Sequence, residues 1–237
     1  MFTRTENFRE FIRFYPATSF ILFIHLLLFI PTVLPILPGK LIFEQLSGVN
    51  LYILEGEYWR LVTPIFVHSG FPHVLFNSFS LVLFGPALER MLGKGKFLFV
   101  YLTAGIAANL ATLLLEPVTY THVGASGAIY GLFGFYLSLI FFNRHMLSNE
   151  NSQIILTIAA IGIIMTFIQP NINITAHIFG LVAGFFIGLL MFPGKADFSA
   201  PFPSRRRRPF TKTNIPLPKL LLWGGIALLA IIGFLLN

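Results

Sequence analysis

Three short stretches of the sequence hold residue types that can do chemistry: "HVGASGAIYG" (122–131), "HVLFN" (73–77) and "AHIFGLVAG" (176–184). In the first, Ser126 and Tyr130 are four residues apart, and in the second His73 and Asn77 have the same spacing, so on helices each pair shares one face. In the third, His177 shares a face with Gly180 and Gly184. A serine hydroxyl is a weak nucleophile until a base accepts its proton, and a neutral imidazole suits that role near neutral pH. Ser126 and His177 therefore form the minimum hydrolytic pair. A site of this kind must also stabilise an oxyanion. Donors of the right kind are the Ser126 backbone N–H, in the first turn of a helix where amides lack intrahelical partners, and the side chains of His73 and Asn77. No carboxylate is at hand to orient the histidine. The single aspartate, Asp197, follows the sixth apolar run, and the eight glutamates lie at the ends of runs or between them. A hydrolase built on this chain works with a dyad, the orienting role falling to packing, with Tyr130 able to stack on the imidazole.

All three stretches sit in apolar runs. Of 237 residues 56% are hydrophobic and 11% charged, with a mean hydropathy of +0.80, the composition of a polytopic membrane protein. A run such as "FLFVYLTAGIAANLATLLL" is long enough to cross ~30 Å of hydrocarbon as a helix. Spans are expected near 16–36, 71–88, 97–115, 123–142, 153–168, 172–192 and 219–236. The fifth is short for a bilayer and its ends are the least defined. Fourteen of the sixteen Lys and Arg residues fall in loops on one side of this arrangement, with Lys40 and Arg60 on the other. The excess places the N-terminus in the cytoplasm and the C-terminus outside. The net charge of +7, concentrated in Arg205 to Arg208, then reads as a topology signal and not as a nucleic-acid footprint. The segments expected are a cytoplasmic stretch over 1–15, a six-helix core over 16–192, a basic cytoplasmic linker over 193–218 and a seventh span over 219–237. The first span reads as retained, since no A-x-A-like cleavage site follows it, and a bacterial cytoplasmic membrane is the expected location.

Polar groups within spans are costly and mark functional sites by default. The glycines of the sixth span and Gly124, Gly127, Gly131 and Gly134 of the fourth allow two helices to approach closely. That approach would bring Ser126 to His177 near the outer boundary. Other chemistries lack their parts: the chain has no cysteine, no H-E-x-x-H, no membrane aspartate and no G-x-S-x-G.

Together these stretches resemble the rhomboid family of intramembrane serine proteases. "GASG" (124–127) matches its G-x-S-G motif, "HVLFN" its H-x-x-x-N and "AHIFGLVAG" its histidine-glycine helix, while "YWR" (58–60) and "GPALERMLG" (85–93) also look like family signatures. The resemblance implies Ser126 as nucleophile, His177 as base and then acid, and His73, Asn77 and the Ser126 amide as the oxyanion hole. It further implies Tyr130 stacked on His177, with Gly124 and Gly127 supporting, and neither metal nor cofactor. It implies an all-α six-helix bundle whose first outer loop dips into the outer leaflet, here followed by one C-terminal helix. The fifth helix and the loop near 169–174 would admit substrate and water. The partners implied are membrane lipid and single-span protein substrates with a small residue before the cut. Two other readings compete. A transporter would show buried charges or broken helices at mid-depth, which the spans lack. An inactive relative that binds transmembrane clients would be favoured by loss of the serine or the histidine, and both are present. His68 reads as an interfacial polar residue and His25 as a packed or snorkelled one, while oligomeric state stays open.

Overall fold

The computed structural model describes residues 5–34 and 38–194. The expected seventh span and the basic linker beyond 194 lie outside the described residues. Within them the chain is all helical apart from one two-residue ladder: α1 Phe8–Phe14, α2 Pro16–Val33, α3 Gly39–Leu46, α4 Asn50–Leu54, α5 Phe71–Leu92, α6 Lys94–Leu115, α7 Ser126–Phe142, α8 Asn149–Ile168 and α9 Ile174–Met191. Five of these, α2, α5, α6, α8 and α9, are long and apolar enough to cross a membrane, and α7 is a shorter apolar helix of 17 residues. This is an all-α polytopic bundle.

Two spans differ from the sequence expectation in an informative way. The fifth is a 20-residue helix, four residues longer than its apolar run, because Ser148 caps it through the Asn151 N–H and Glu150 sits in its first turn, where the helix dipole favours negative charge. The fourth starts at Ser126 and not at 123, so the candidate nucleophile is the first helical residue of the shortest span.

That short helix is the centre of the molecule. α7 is buried along almost its whole length, packed between α5, α6, α8 and α9. Its tightest neighbour is α9, and the reason lies in the glycines. A methyl built on Gly184 would fall inside contact distance of the Gly131 carbonyl, one on Gly180 would strike the Gly127 carbonyl, and one on Gly134 the Leu181 carbonyl. The two backbones thus touch without side chains between them, at a place where lipid offers no hydrophobic drive and close packing must hold helices together. On its other face α7 meets α6 through Gly131 against Ala104 and Gly127 against Ala108. Tyr136 ties α7 to α5 by donating its hydroxyl to the Phe84 carbonyl at 2.8 Å.

A second tie anchors α2. Glu89, buried in α5, accepts from the N–H groups of Ala17 and Thr18 at 2.7 and 2.8 Å and from the Thr18 hydroxyl at 2.7 Å. These amides open α2, where no intrahelical carbonyl reaches them. The carboxylate therefore serves as a cap supplied by another helix.

The loops at the other end form a cap over the start of α7. Arg60, 2% exposed, donates to the carbonyls of Glu44 and Ser47, both at 2.7 Å, and pairs with Glu57. Asn50 donates to the carbonyls of Thr112 and Pro117 at the end of α6. Gly48 and Val49 pair antiparallel with His122 and Thr121, which drapes the loop before α7 across this cap. His122 is buried with its ring against Gly48, and burial lowers its pKa to about 4.

Two measurements follow from this packing. Gly184→Val forces a branched side chain into the Gly131 carbonyl and is expected to destabilise the detergent-solubilised protein by about 3 kcal/mol or more in thermal or denaturant unfolding. Gly95→Ala, whose methyl meets open space, should stay within ~1 kcal/mol of wild type. An unfolded His122 titrates near its ordinary value of 6.5, so as pH falls from there the unfolded state takes up a proton that the folded state refuses until about pH 4. Stability is expected to fall across that window, and His122→Phe to lose less of it than wild type in parallel unfolding curves.

Candidate active site

The fold brings the residues singled out in the sequence to one end of the α7–α9 pair. Ser126 opens α7, and Gly127 beside it lies at 3.5 Å from the Ala176 carbonyl and 3.7 Å from the Ala176 Cβ, counted from the position a Cβ would take. Because His177 follows Ala176, this contact between the two helices falls one residue from both Ser126 and His177. One turn below Ser126, the Tyr130 ring stacks on the His177 imidazole with centroids 4.0 Å apart and planes 14° from parallel. The imidazole thus lies flat on the face of α7 that carries Ser126. His177 is itself set by the cap of α9: Asn173 accepts from the Ala176 N–H at 2.8 Å and donates to the Thr112 hydroxyl at 3.0 Å. Thr175 donates to Glu116 at 2.5 Å. The first turn of α9 is therefore pinned to the end of α6.

On the other side of Ser126, His73 approaches the loop that leads into α7. Its ring packs onto Gly124, where a Cβ would sit 2.5 Å from Nε2. Gly124 also has φ +120°, a conformation that L side chains rarely adopt. Its N–H donates to the Pro64 carbonyl at 2.8 Å, fixing the segment two residues before Ser126. Glycine is required there twice over, by backbone conformation and by the ring against it. His73 Nδ1 faces the Ser69 hydroxyl at 3.0 Å. Asn77, mostly buried, donates Nδ2 to the His73 carbonyl at 2.9 Å, which holds its amide on the same face of α5 as the imidazole above it.

Three features were not anticipated. His68, ahead of α5, is 1% exposed, packed within the protein, and His25 is buried beside it. Their rings form an edge-to-face row that ends on His73, with centroid distances of 4.6 Å from His25 to His68 and 5.1 Å from His68 to His73. His25 therefore belongs to the surroundings of the site, and only the meeting of α2 with α5 and the loop before it reveals this. The third is Thr166 on α8. Its hydroxyl lies 2.8 Å from His177 Nδ1, 2.8 Å from the Tyr130 hydroxyl and 2.9 Å from the Gly162 carbonyl. A threonine near the end of an apolar span was the one signal available, and a hydroxyl that can bond its own helix is weak evidence of function. Among the described residues no cluster of His and acidic side chains could hold a metal ion.

A serine at a helix start, a histidine stacked one turn below it and a second histidine against the preceding loop follow the order of motifs that the resemblance rests on. The Rhomboid domain model matches residues 55–194. The chain belongs to the rhomboid family. It is 50% identical over 190 residues to YdcA of Bacillus subtilis (strain 168), whose name places it among rhomboid proteases, a match covering 80% of this chain and 96% of that one. It is 42% identical over 137 residues to the rhomboid protease GluP of the same organism, covering 58% of this chain and 27% of GluP. With the Rhomboid-like protease 1 of Toxoplasma gondii it shares 33% identity over 168 residues, 67% of this chain and 56% of that one. The rhomboid domain match takes in α5 to α9, with Arg60 and Glu89, and leaves out α2, α3 and the carbonyls of Glu44 and Ser47 that Arg60 holds.

Gly124→Ala tests the geometry of this corner without reference to any reaction. The positive φ costs a residue with a Cβ about 1–2 kcal/mol, and the displaced His73 ring adds to it. A fall in unfolding midpoint is expected, larger than that of Gly95→Ala measured alongside.

Proposed function

We propose that this rhomboid is an intramembrane serine endopeptidase in which Ser126 attacks the scissile carbonyl and His177 serves as general base and then acid. The observation that carries the reading is the stacking of His177 on Tyr130, one turn from Ser126, at the glycine-lined crossing of α7 and α9. The Ser126 Oγ proton passes to His177 as Oγ bonds the carbonyl carbon, and the carbonyl π electrons move to oxygen. The Ser126 N–H, His73 and Asn77 are the donors for that oxyanion, which lies where the amides of a helix N-terminus are free of intrahelical partners. Collapse of the intermediate breaks the C–N bond, and the proton held by His177 leaves with the amine. Water then repeats the sequence on the acyl-enzyme, returning the proton to Ser126. None of these steps calls on a metal or a cofactor.

The substrates proposed are single-span membrane proteins cut near the outer face, in a segment that unwinds easily, since a helical peptide bond is shielded by its own hydrogen bonds. The charge asymmetry of the loops supports an orientation with the N-terminus in the cytoplasm and Ser126 toward the outer face, and the bacterial relatives support a bacterial cytoplasmic membrane. Membrane lipid surrounds the bundle, whose α8 and α9 carry exposed Phe167, Ile168, Phe186 and Leu190.

Detergent-solubilised protein incubated with a generic single-span substrate should release two fragments. Ser126→Ala and His177→Ala, folded to the same extent, should release none. Binding of substrate without cleavage by any of the three would favour a role in holding transmembrane clients. Asn77→Ala is expected to lower kcat by roughly 100-fold to 1,000-fold with little change in KM, as for loss of one oxyanion donor; an unchanged kcat removes Asn77 from that role.

A further inference from the structure

The contacts of Thr166 constrain where the protons of the site reside. A threonine hydroxyl has one proton to give and two lone pairs to receive with. The Gly162 carbonyl at 2.9 Å can only accept. If the Thr166 proton points there, the two remaining neighbours, Tyr130 Oη and His177 Nδ1, each at 2.8 Å, must both donate to Thr166. Any other distribution sets lone pair against lone pair in at least one of these contacts. Tyr130 and His177 are also held parallel by their own stacking, so neither ring is free to turn its polar edge elsewhere. Thr166 itself is 3% exposed, which leaves its oxygen no exchange with bulk water.

We infer that Thr166 is the positioning residue of the dyad: it accepts the Nδ1–H of His177 and so fixes the tautomer in which Nε2 carries the lone pair and can take the Ser126 proton. A base that must receive a proton at one nitrogen is set by the hydrogen bond made at the other. Here that bond comes from α8, a helix that buries only Ser152, Ile155, Ala159 and Thr166 against the bundle. The orienting group thus sits on a different helix from the base, the nucleophile and the oxyanion donors, and His177 is correctly protonated only while α8 is seated at Thr166. This rests on the hydrolase reading of the site for its catalytic consequence, but the tautomer is a property of the folded protein and is measurable without turnover.

The test has two readouts on the full chain in detergent micelles. In protein labelled with ¹⁵N-histidine, the His177 signals are assigned by their loss in His177→Gln. The expected result is Nδ1 protonated and Nε2 unprotonated in wild type, changing to a mixed or reversed tautomer in Thr166→Val. In cleavage of a single-span substrate, Thr166→Val is expected to lower kcat roughly 10-fold, the net worth of one hydrogen bond, at little-changed KM. Thr166→Ser, which keeps the hydroxyl, should restore most of it. A wild-type His177 protonated at Nε2 overturns the inference whatever the variants do. So does a Thr166→Val protein with wild-type kcat, or a Thr166→Ser protein as impaired as Thr166→Val. Failure of wild type to cleave would instead overturn the protease reading, and the tautomer would then decide the inference alone.

Discussion

Everything in this molecule that concerns the site depends on two helices touching through their backbones. Gly131 and Gly134 of α7 meet Gly184 and the Leu181 carbonyl of α9 with no side chain between. In hydrocarbon there is no water to expel from between helices, so the attraction must come from many short van der Waals contacts. The same closeness sets the chemistry. A wider crossing would carry His177 off the face of α7 on which Tyr130 stacks and Ser126 stands. Packing and site geometry are here one constraint, and that is why α7 can be short and buried on every side: it is held by neighbours and not by its own span of the bilayer.

The remaining parts of the site are held from the loop side. Arg60 gathers the carbonyls of the segment before α5, Asn50 grips the end of α6, and the ladder of Gly48 with His122 carries the chain back over the start of α7. The last step is the bond from the Gly124 N–H to the Pro64 carbonyl, which lets His73 lie against a glycine just before Ser126. Backbone polar groups in an irregular loop near a membrane must be paired within the protein, and this cap does so with side chains of Arg and Asn.

Much of this was legible in the sequence because membrane spans leave few residues to choose from. Ser126, Tyr130, His73, Asn77 and His177 stood out as polar groups in apolar runs, and helical spacing put them on matching faces. The small-residue pattern of the fourth and sixth spans pointed to each other. What stayed hidden depends on contacts between segments far apart in the chain. Glu89 looks from the sequence like a residue at the end of a span, yet it caps α2, which lies more than seventy residues earlier. His25 and His68 look unrelated until α2 and α5 pack side by side and align their rings with His73. Thr166 is masked by chemistry as well as by distance, since a threonine in a helix can satisfy itself on the carbonyl four residues back. The start of α7 was placed three residues early because "VGA" (123–125) is no more polar than the helix it precedes; the turn at Gly124 is a matter of φ, not of hydropathy.

The contrast between Glu89 and Thr166 explains why a hydroxyl stands where a soluble hydrolase would carry a carboxylate. An ionised carboxylate can be buried only if its lone pairs are met, and Glu89 is met by two backbone amides and a hydroxyl. At His177 a carboxylate would find one donor, the Nδ1–H, with the Tyr130 hydroxyl as a second at most. The desolvation cost of the charge would outweigh that pairing in the resting protein. A threonine asks for less. It spends its own proton on Gly162, takes one from Tyr130 and one from His177, and is complete with no net charge. In the proposed reaction the division of labour would differ from that of a triad with an aspartate: Thr166 can orient the imidazole and choose its tautomer, but it could not offer a full negative charge to an imidazolium formed during attack. The stacked phenol ring of Tyr130, its π face against the imidazole, is then the group in contact to steady that transient cation.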